Sequence, residues 1–439
     1  MPKTWYFKGG IHPQENKNTA DHESVTMPIP KRVILPLRQH IGAICEPTVE
    51  VGDQVFVGQV VADSTATISV PIHASVSGKV VGLENIPNAT GKPMPAMVIE
   101  SDGLQTPDPA IAPITTRDPD ELIKAIRDSG LVGLGGAGFP TWFKLKPPPG
   151  DKLDLLLING AECESYITSD YREMIENSPG VIRGIKLVLH ILGIDRAIIG
   201  VEDNKQIGID RLIKACNDEP QISVIPLKTR YPQGGEKQLI YALTGRRVPS
   251  GGLPSAVGVL VLSINTISFI DEYVTTGMPL VKRRVTVDGD CVRNPKNVWV
   301  PVGTPIADVF EFCGGFKEPP DKLIMGGPMM GVTQYSLKNS VLKQTNALLA
   351  MTSRFDRTRD EYACLRCGKC ADACPMRLQP WRMNADIRIR EFERARELHL
   401  LDCIECGCCS YVCPSQIHLV QTFRLGKAEL QKLRKKEKN

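Results

Sequence analysis

Eight cysteines near the C-terminus fall into two runs of one spacing. The first is Cys364-x-x-Cys367-x-x-Cys370-x-x-x-Cys374-Pro375 and the second Cys403-x-x-Cys406-x-x-Cys409-x-x-x-Cys413-Pro414. Thiolate is a soft, strongly donating ligand, so four of them suit iron better than carboxylate or imidazole would. The spacing is that of a pair of [4Fe–4S] cubes: short loops let three sulfurs reach one cube, and the Pro after the fourth Cys turns the chain away. In two-cluster modules the fourth Cys of each run serves the other cube. Cys364, Cys367, Cys370 and Cys413 are therefore assigned to one cluster, and Cys374, Cys403, Cys406 and Cys409 to the other. Zinc is the rival, because C-x-x-C pairs also bind it. Zinc has no use for a third Cys at this spacing or for a Cys-Pro ending written twice. Cys408 breaks the period and is read as a neighbour of the cluster or a bystander. The chemistry implied is the passage of single electrons.

A second motif is Gly133-Leu-Gly135-Gly136-Ala-Gly138-Phe139-Pro140-Thr141, closed by Lys144. Glycines let successive backbone N–H groups converge on a phosphate, and Lys144 can add a point charge. The loop lacks the Gly-Lys-[Ser/Thr] of Walker A, which excludes ATP hydrolysis on that motif. It follows a predicted helix and not a strand, so it fits a dinucleotide fingerprint poorly.

The elements that must position these residues read as several domains, as expected for 439 residues. Residues 30–100 are short strands and turns. Their halves resemble the sandwich of biotinyl and lipoyl carriers, but the hairpin tip, Ala62 to Thr67, has no Lys to carry a swinging arm. Pro107, Pro109 and Pro113 mark a linker. Asp118 then caps a helix with Pro119 at its first position, an apolar stripe of Leu122, Ile123 and Ile126, and Gly130 after its end. From Leu153 to Leu227 strands (153–158, 196–201, 222–227) alternate with helices (179–192, 205–216), the pattern of a parallel sheet covered on both faces. Residues 281–340 return to short strands, with a short helix over 304–313, and read as a small β-grasp-like domain. A helical segment around 379–400 separates the two Cys runs. The basic run Lys432 to Lys438 reads as a frayed, solvated tail.

Composition bounds the function. Hydrophobic residues make up 42% of the chain, enough for ordinary cores, and a net charge of +4 is too mild to argue for nucleic acid. The six remaining cysteines (Cys45, Cys163, Cys216, Cys291, Cys313 and Cys408) are scattered and form no disulfide framework, which suits a reducing compartment. No signal peptide is read at Met1–Trp5, and no apolar stretch reaches the roughly 20 residues of a membrane span.

The stretch Gly130 to Leu145 is similar to the flavin loop of the NADH-binding flavoprotein subunit of respiratory complex I. Asn159-Gly-Ala-Glu162-Cys-Glu164 and Tyr231-Pro-Gln-Gly234-Gly-Glu236 resemble two further motifs of that family, in the same order. The opening Phe7-Lys-Gly-Gly-Ile-His-Pro13, the sandwich and the doubled cluster module extend the match over nearly the whole chain. That arrangement resembles the RnfC family of the Rnf complexes, ion-translocating ferredoxin:NAD oxidoreductases. The resemblance implies an α/β multidomain chain. Its parts are a barrel-sandwich hybrid (1–105), a Rossmann-like FMN/NADH-binding domain (115–275), a β-grasp SLBB-like domain (280–345), a two-[4Fe–4S] ferredoxin-like helical domain (355–425) and a basic tail (426–439).

It also implies an FMN held by Gly133, Gly135, Gly136 and Gly138, with Lys144, Asn159, Glu162, Tyr231, Gly234 and Asn265 around it. Phe139, Glu164 and Glu236 are expected to hold NAD(H). Read as residues alone, Phe139 also suits a core position and Tyr231 a strand cap. The chain departs from the family pattern at Leu134, where an Arg is common, at Ala161, where an Asp is, and at a shortened Gly251-Gly-Leu-Pro254. The implied activity is hydride exchange between nicotinamide and FMN with electrons passing to two clusters; no side chain need act as acid or base. The implied partners are a ferredoxin-reactive iron–sulfur B subunit and membrane flavin subunits, with the chain peripheral on the cytoplasmic face of the membrane. A relative that reduces cobalamin or feeds an amino-acid reductase, and an electron wire with a decayed flavin site, are the alternatives.

Overall fold

The computed structural model describes residues 4–87, 91–334, 336–355 and 360–438. The first three residues of the N-terminal reading and residues 356–359 at the head of the cluster module lie outside the described residues.

The centre of the molecule is a four-stranded parallel sheet in the order Ile222–Leu227, Ala197–Glu202, Leu155–Gly160, Val259–Ser263. Every second residue turns to the opposite face, and both faces are covered. Leu156, Ile158, Ala197 and Ile199 pack toward the helices Pro119–Asp128, Ser178–Leu192 and Ile264–Thr276. Leu155, Leu157, Ile198 and Ile225 pack toward Glu236–Thr244. The strand Ile222–Leu227 has the bounds expected from the sequence, and its neighbours lie within two residues of theirs. The Asp118 cap forms as expected, its carboxylate accepting from Glu121 N at 3.0 Å. Among the four strand ends, Gly160, Glu202, Leu227 and Ser263 point the same way, which makes that edge the place for a ligand.

Residues 32–101 form a four-stranded sheet faced by a three-stranded one around Val33, Leu35, Val55, Val61 and Ile99. The tip that lacks a carrier Lys is clamped in place: Arg127 donates to Asp63 at 2.9 Å and to the Ser64 carbonyl at 3.0 Å. The β-grasp-like domain is a six-stranded sheet with the helix Ile306–Phe312 in its core. Its edge strand, Val25–Thr26, comes from the N-terminal region and pairs in parallel with Lys296–Pro301.

The two Cys runs fold as two copies of one backbone. Arg366 and Glu405 take φ of 53° and 56°, and Arg377 and Gln416 take 57° and 55°. Between them lie the helices Pro380–Arg388 and Phe392–Glu397. The C-terminal basic run does not fray at its start: the helix Leu419–Lys438 includes it. The reason is apolar, since Phe423 and Leu430, both 1% exposed, anchor that helix in the module's core.

Candidate redox site

Two thiol-lined recesses open in the C-terminal module. Cys364, Cys367, Cys370 and Cys413 ring the first, together with Trp381 and Ile417. Cys374, Cys403, Cys406 and Cys409 ring the second, with Met383 and Phe423. Each quartet thus takes three sulfurs from one run and the last from the other. Among the described residues no three His, Cys, Asp or Glu side chains converge closely enough to share a single ion. The thiols surround a volume, which fits a cube and not a lone zinc. Burial pushes the Cys403 thiol up to about 11, so a cation in the recess is what would favour its thiolate form. Cys408 lies outside both rings and is fully buried, packed with Ile11, Tyr231 and Cys406.

The glycine loop lies over the strand edge where Ser263 ends. Gly133 N donates to the Phe139 carbonyl at 2.8 Å, which closes the loop, and residues 135–137 are exposed. Gly136 and Gly138 have φ of +153° and +65°, where side chains are strained, and a Cβ on Gly136 would meet nothing within 4 Å. An open, backbone-lined face of this kind fits the phosphate end of a mononucleotide. Leu134 is buried and anchors the loop, its N–H donating to Thr266 Oγ1 at 3.0 Å. A cation still reaches this point from another domain. Buried Arg283 lies with Nη2 3.5 Å from the Leu134 carbonyl, and its Nε has no partner among the described residues. Gln344, whose side chain approaches Gly138, also carries an unpartnered buried oxygen.

The other expected residues divide into two groups. Lys144 and Glu236 meet at 3.1 Å beside the loop, and Asn159 Nδ2 donates to the Gly234 carbonyl at 2.8 Å. Phe139 is half-buried, its ring edge-on to Phe143. These five stand together at the strand edge. Glu162, Glu164, Asn265 and Tyr231 are engaged elsewhere. Glu162 accepts from the Asp170 and Tyr171 amides at 2.6 and 3.2 Å and so caps the helix Ser169–Glu176, while Asn265 donates to the Asp170 carboxylate. Burial raises the carboxyl pKa of both Glu162 and Asp170.

Glu164 accepts from the Met329 and Met330 amides at 3.0 and 2.9 Å, and burial lifts its carboxyl to about 7. Gly327 must be glycine for this contact, because a Cβ there would lie 2.3 Å from the Glu164 carboxyl carbon. Tyr231 is 1% exposed and its hydroxyl donates to the Cys406 carbonyl at 2.8 Å. Tyr231 thus reaches the backbone of a residue that lines the second recess.

Several residues here gave no signal in the sequence. Lys17 reaches across to donate to the carbonyls of Glu162, Glu164 and Ile167 at 3.0, 2.8 and 2.6 Å, holding the loop after the first sheet strand in shape. The N-terminal segment wedges between domains: Gly10 N donates to the Ala373 carbonyl at 2.8 Å, and Ile11 bridges to Tyr231. The shortened Gly251–Pro254 stretch docks on the cluster module, where Gly251 N donates to Asp402 at 3.2 Å.

Family models match this chain in the order of its domains. Residues 5–104 match an RnfC barrel sandwich hybrid domain, 126–272 a Nuo51 FMN-binding domain, 284–333 an SLBB domain, and 357–414 a 4Fe-4S dicluster domain. An FMN-binding domain and a dicluster domain therefore share one chain. It is 44% identical over 434 residues to the RnfC protein of the Na(+)-translocating ferredoxin:NAD(+) oxidoreductase complex of Acetobacterium woodii, covering 98% of both chains. It is 43% identical over 440 residues to the counterpart in the proton-translocating complex of Clostridium ljungdahlii, covering 98% of this chain and 95% of that one. Against the counterpart in the ion-translocating oxidoreductase complex of Vibrio cholerae the identity is 42% over 411 residues, which is 91% of this chain and 52% of the longer relative. Among solved structures, a chain of the air-oxidized NAD+-reducing [NiFe]-hydrogenase shares the fold, with a TM-score of 0.51 and 19% identity over 71% of this chain and 64% of that one. Domain order, cofactor domains and full-length identity agree: the chain belongs to the RnfC family of ion-translocating ferredoxin:NAD(+) oxidoreductase complexes.

Proposed function

We propose that this chain is the NAD(H)-reactive subunit of a ferredoxin:NAD(+) oxidoreductase complex that translocates ions. The observation that carries the reading is an open glycine loop and two crossed thiol quartets in one chain, with Tyr231 bonding the Cys406 carbonyl across the two domains. When bound, FMN would supply two-electron hydride exchange with nicotinamide and single-electron exchange with iron–sulfur cubes. Everything else falls to the protein. The amides of Gly135, Gly136 and Gly138 would hold the flavin phosphate, with Gly133 closing the loop through the Phe139 carbonyl, Lys144 supplying charge and Asn159 fixing Gly234 beside it. Glu162 and Asn265 act through Asp170, keeping the strand-end loop rigid under the flavin. Phe139 and Glu236 face the nucleotide, and Glu164 reaches it once its carboxylate leaves the Met329 and Met330 amides. Cys364, Cys367, Cys370 and Cys413 hold one cluster and Cys374, Cys403, Cys406 and Cys409 the other.

No helix among the described residues is long and apolar enough to cross a membrane. Attachment to the cytoplasmic face through a ferredoxin-reactive B subunit and membrane flavin subunits follows from the family reading. The test is NADH oxidation by the FMN-loaded chain with ferricyanide as acceptor, alongside sedimentation of the native protein with its membranes. Activity that Lys144→Ala cuts at least tenfold, in a protein that pellets with membranes, is the expected result. A flavin-loaded chain inert to NADH contradicts the reading.

A further inference from the structure

The two thiol recesses are alike in backbone but not in surroundings. Around the first, Cys364 and Cys367 are exposed, and Leu365 between them is 69% exposed. Around the second, side chains from outside the Cys runs reach the carbonyls of the ligands themselves. The Tyr231 hydroxyl donates to the Cys406 carbonyl at 2.8 Å. Lys427, from the helix Leu419–Lys438, donates to the Cys403 carbonyl at 2.6 Å and pairs with Glu405 at 2.7 Å. The resemblance expects Tyr231 beside the flavin, and its hydroxyl donates to the carbonyl of a cluster ligand.

Reduction of an iron–sulfur cube adds one negative charge to an already anionic group. Net charge around a cube, hydrogen bonds to its sulfurs and its solvent exposure set cluster potentials. These two donors bond ligand carbonyls and not sulfurs, so they act through the field of their positive ends, which favours the more negative, reduced state. The effect is larger where water is excluded. Both donors bring their positive ends to ligands that ring the second recess, and Tyr231 is 1% exposed.

We propose that Tyr231 and Lys427 are positioning residues that raise the reduction potential of the cluster held by Cys374, Cys403, Cys406 and Cys409, and leave that of the other cluster unchanged. The inference rests on the ligand assignment above. It gives the cluster that adjoins the flavin domain a potential set partly by that domain, so that docking of the two and poising of the electron acceptor are one event.

The experiment is an EPR-monitored redox titration of the full chain, reconstituted anaerobically with iron and sulfide and with iron counted in each sample. Tyr231→Phe removes one O–H and keeps the ring that packs against Ile11 and Cys408. Lys427→Met removes the other donor, and Lys427→Arg restores a charged donor. Both Tyr231→Phe and Lys427→Met are expected to lower the midpoint of the same one of the two clusters, the one absent from Cys374→Ser protein. Lys427→Arg is expected to stay at the unaltered protein's value. A fully loaded variant with neither midpoint moved, or with both moved equally, overturns the proposal. A chain that takes up no iron at the second recess contradicts the ligand assignment instead, and this inference falls with it.

Discussion

Lys343 is the residue whose burial carries the clearest consequence for stability. It is 1% exposed and donates to the Pro71 carbonyl at 2.6 Å and the Gly130 carbonyl at 2.7 Å, tying the sandwich to the start of the flavin domain. Desolvation lowers its pKa from 10.5 to about 7. A lysine depressed on folding binds fewer protons in the native state than in the unfolded one between those values. Its contribution to stability therefore rises as pH climbs from about 7 toward 10.5, with a limiting slope of about 1.4 kcal/mol per pH unit. Lys343→Met is expected to flatten that slope in chemical denaturation series at pH 7, 8 and 9; an unchanged slope contradicts the account. Neither this Lys nor Lys17 was legible in the sequence. Each sits in a polar stretch with no periodicity, and its partners are backbone carbonyls far away along the chain or in another domain. The cysteines were legible because their chemistry is local: the spacing alone fixes what they can enclose.

Among the elements, the regular ones follow from local rules and the docked ones do not. Asp118, Pro119 and the stripe Leu122, Ile123, Ile126 announced their helix, and the cap forms as expected. Asp118→Ala is expected to cost about 1 kcal/mol in equilibrium unfolding, and a loss within error of zero would mean the cap bond is not formed in solution. The alternating strands and helices from Leu153 to Leu227 were equally plain. The edge strand Val25–Thr26 was not, since two residues carry no pattern and only their parallel partner defines them. The basic end of the chain looked like a tail because charge dominates its composition; Phe423 and Leu430, earlier in the same helix, decide its structure. The doubled Cys element yields a sharper test. Its crossed quartets mean that Cys374→Ser should abolish the cluster whose other ligands lie in the second run, while Cys413→Ser should abolish the first. Iron analysis and EPR that assign each loss to the variant's own run would overturn the crossed arrangement.

At the scale of the whole molecule, the flavin domain and the cluster module meet through a few contacts that the sequence could not foretell. Tyr231 reaches Cys406, Gly251 reaches Asp402, and the N-terminal segment threads between them with Gly9 so close that a Cβ would lie 2.5 Å from the Cys374 carbonyl oxygen. Gly9 also has φ of +82°, so any side chain there is strained as well as crowded. Gly9→Val is therefore expected to part the two domains locally. Rapid-mixing spectroscopy should show cluster reduction by NADH slowed at least several-fold, with NADH:ferricyanide turnover retained. Equal loss of both rates would place the damage in the flavin site itself.

The central claim is that NADH, FMN and two clusters form one route through this chain. Its most direct test is an anaerobic titration of the chain, reconstituted with FMN, iron and sulfide, with NADH while the visible spectrum is recorded. The account predicts bleaching of the flavin band together with the cluster absorbance, at a stoichiometry that fills FMN and both cubes. A protein whose clusters are fully loaded yet untouched by NADH, with the flavin bound, would contradict it.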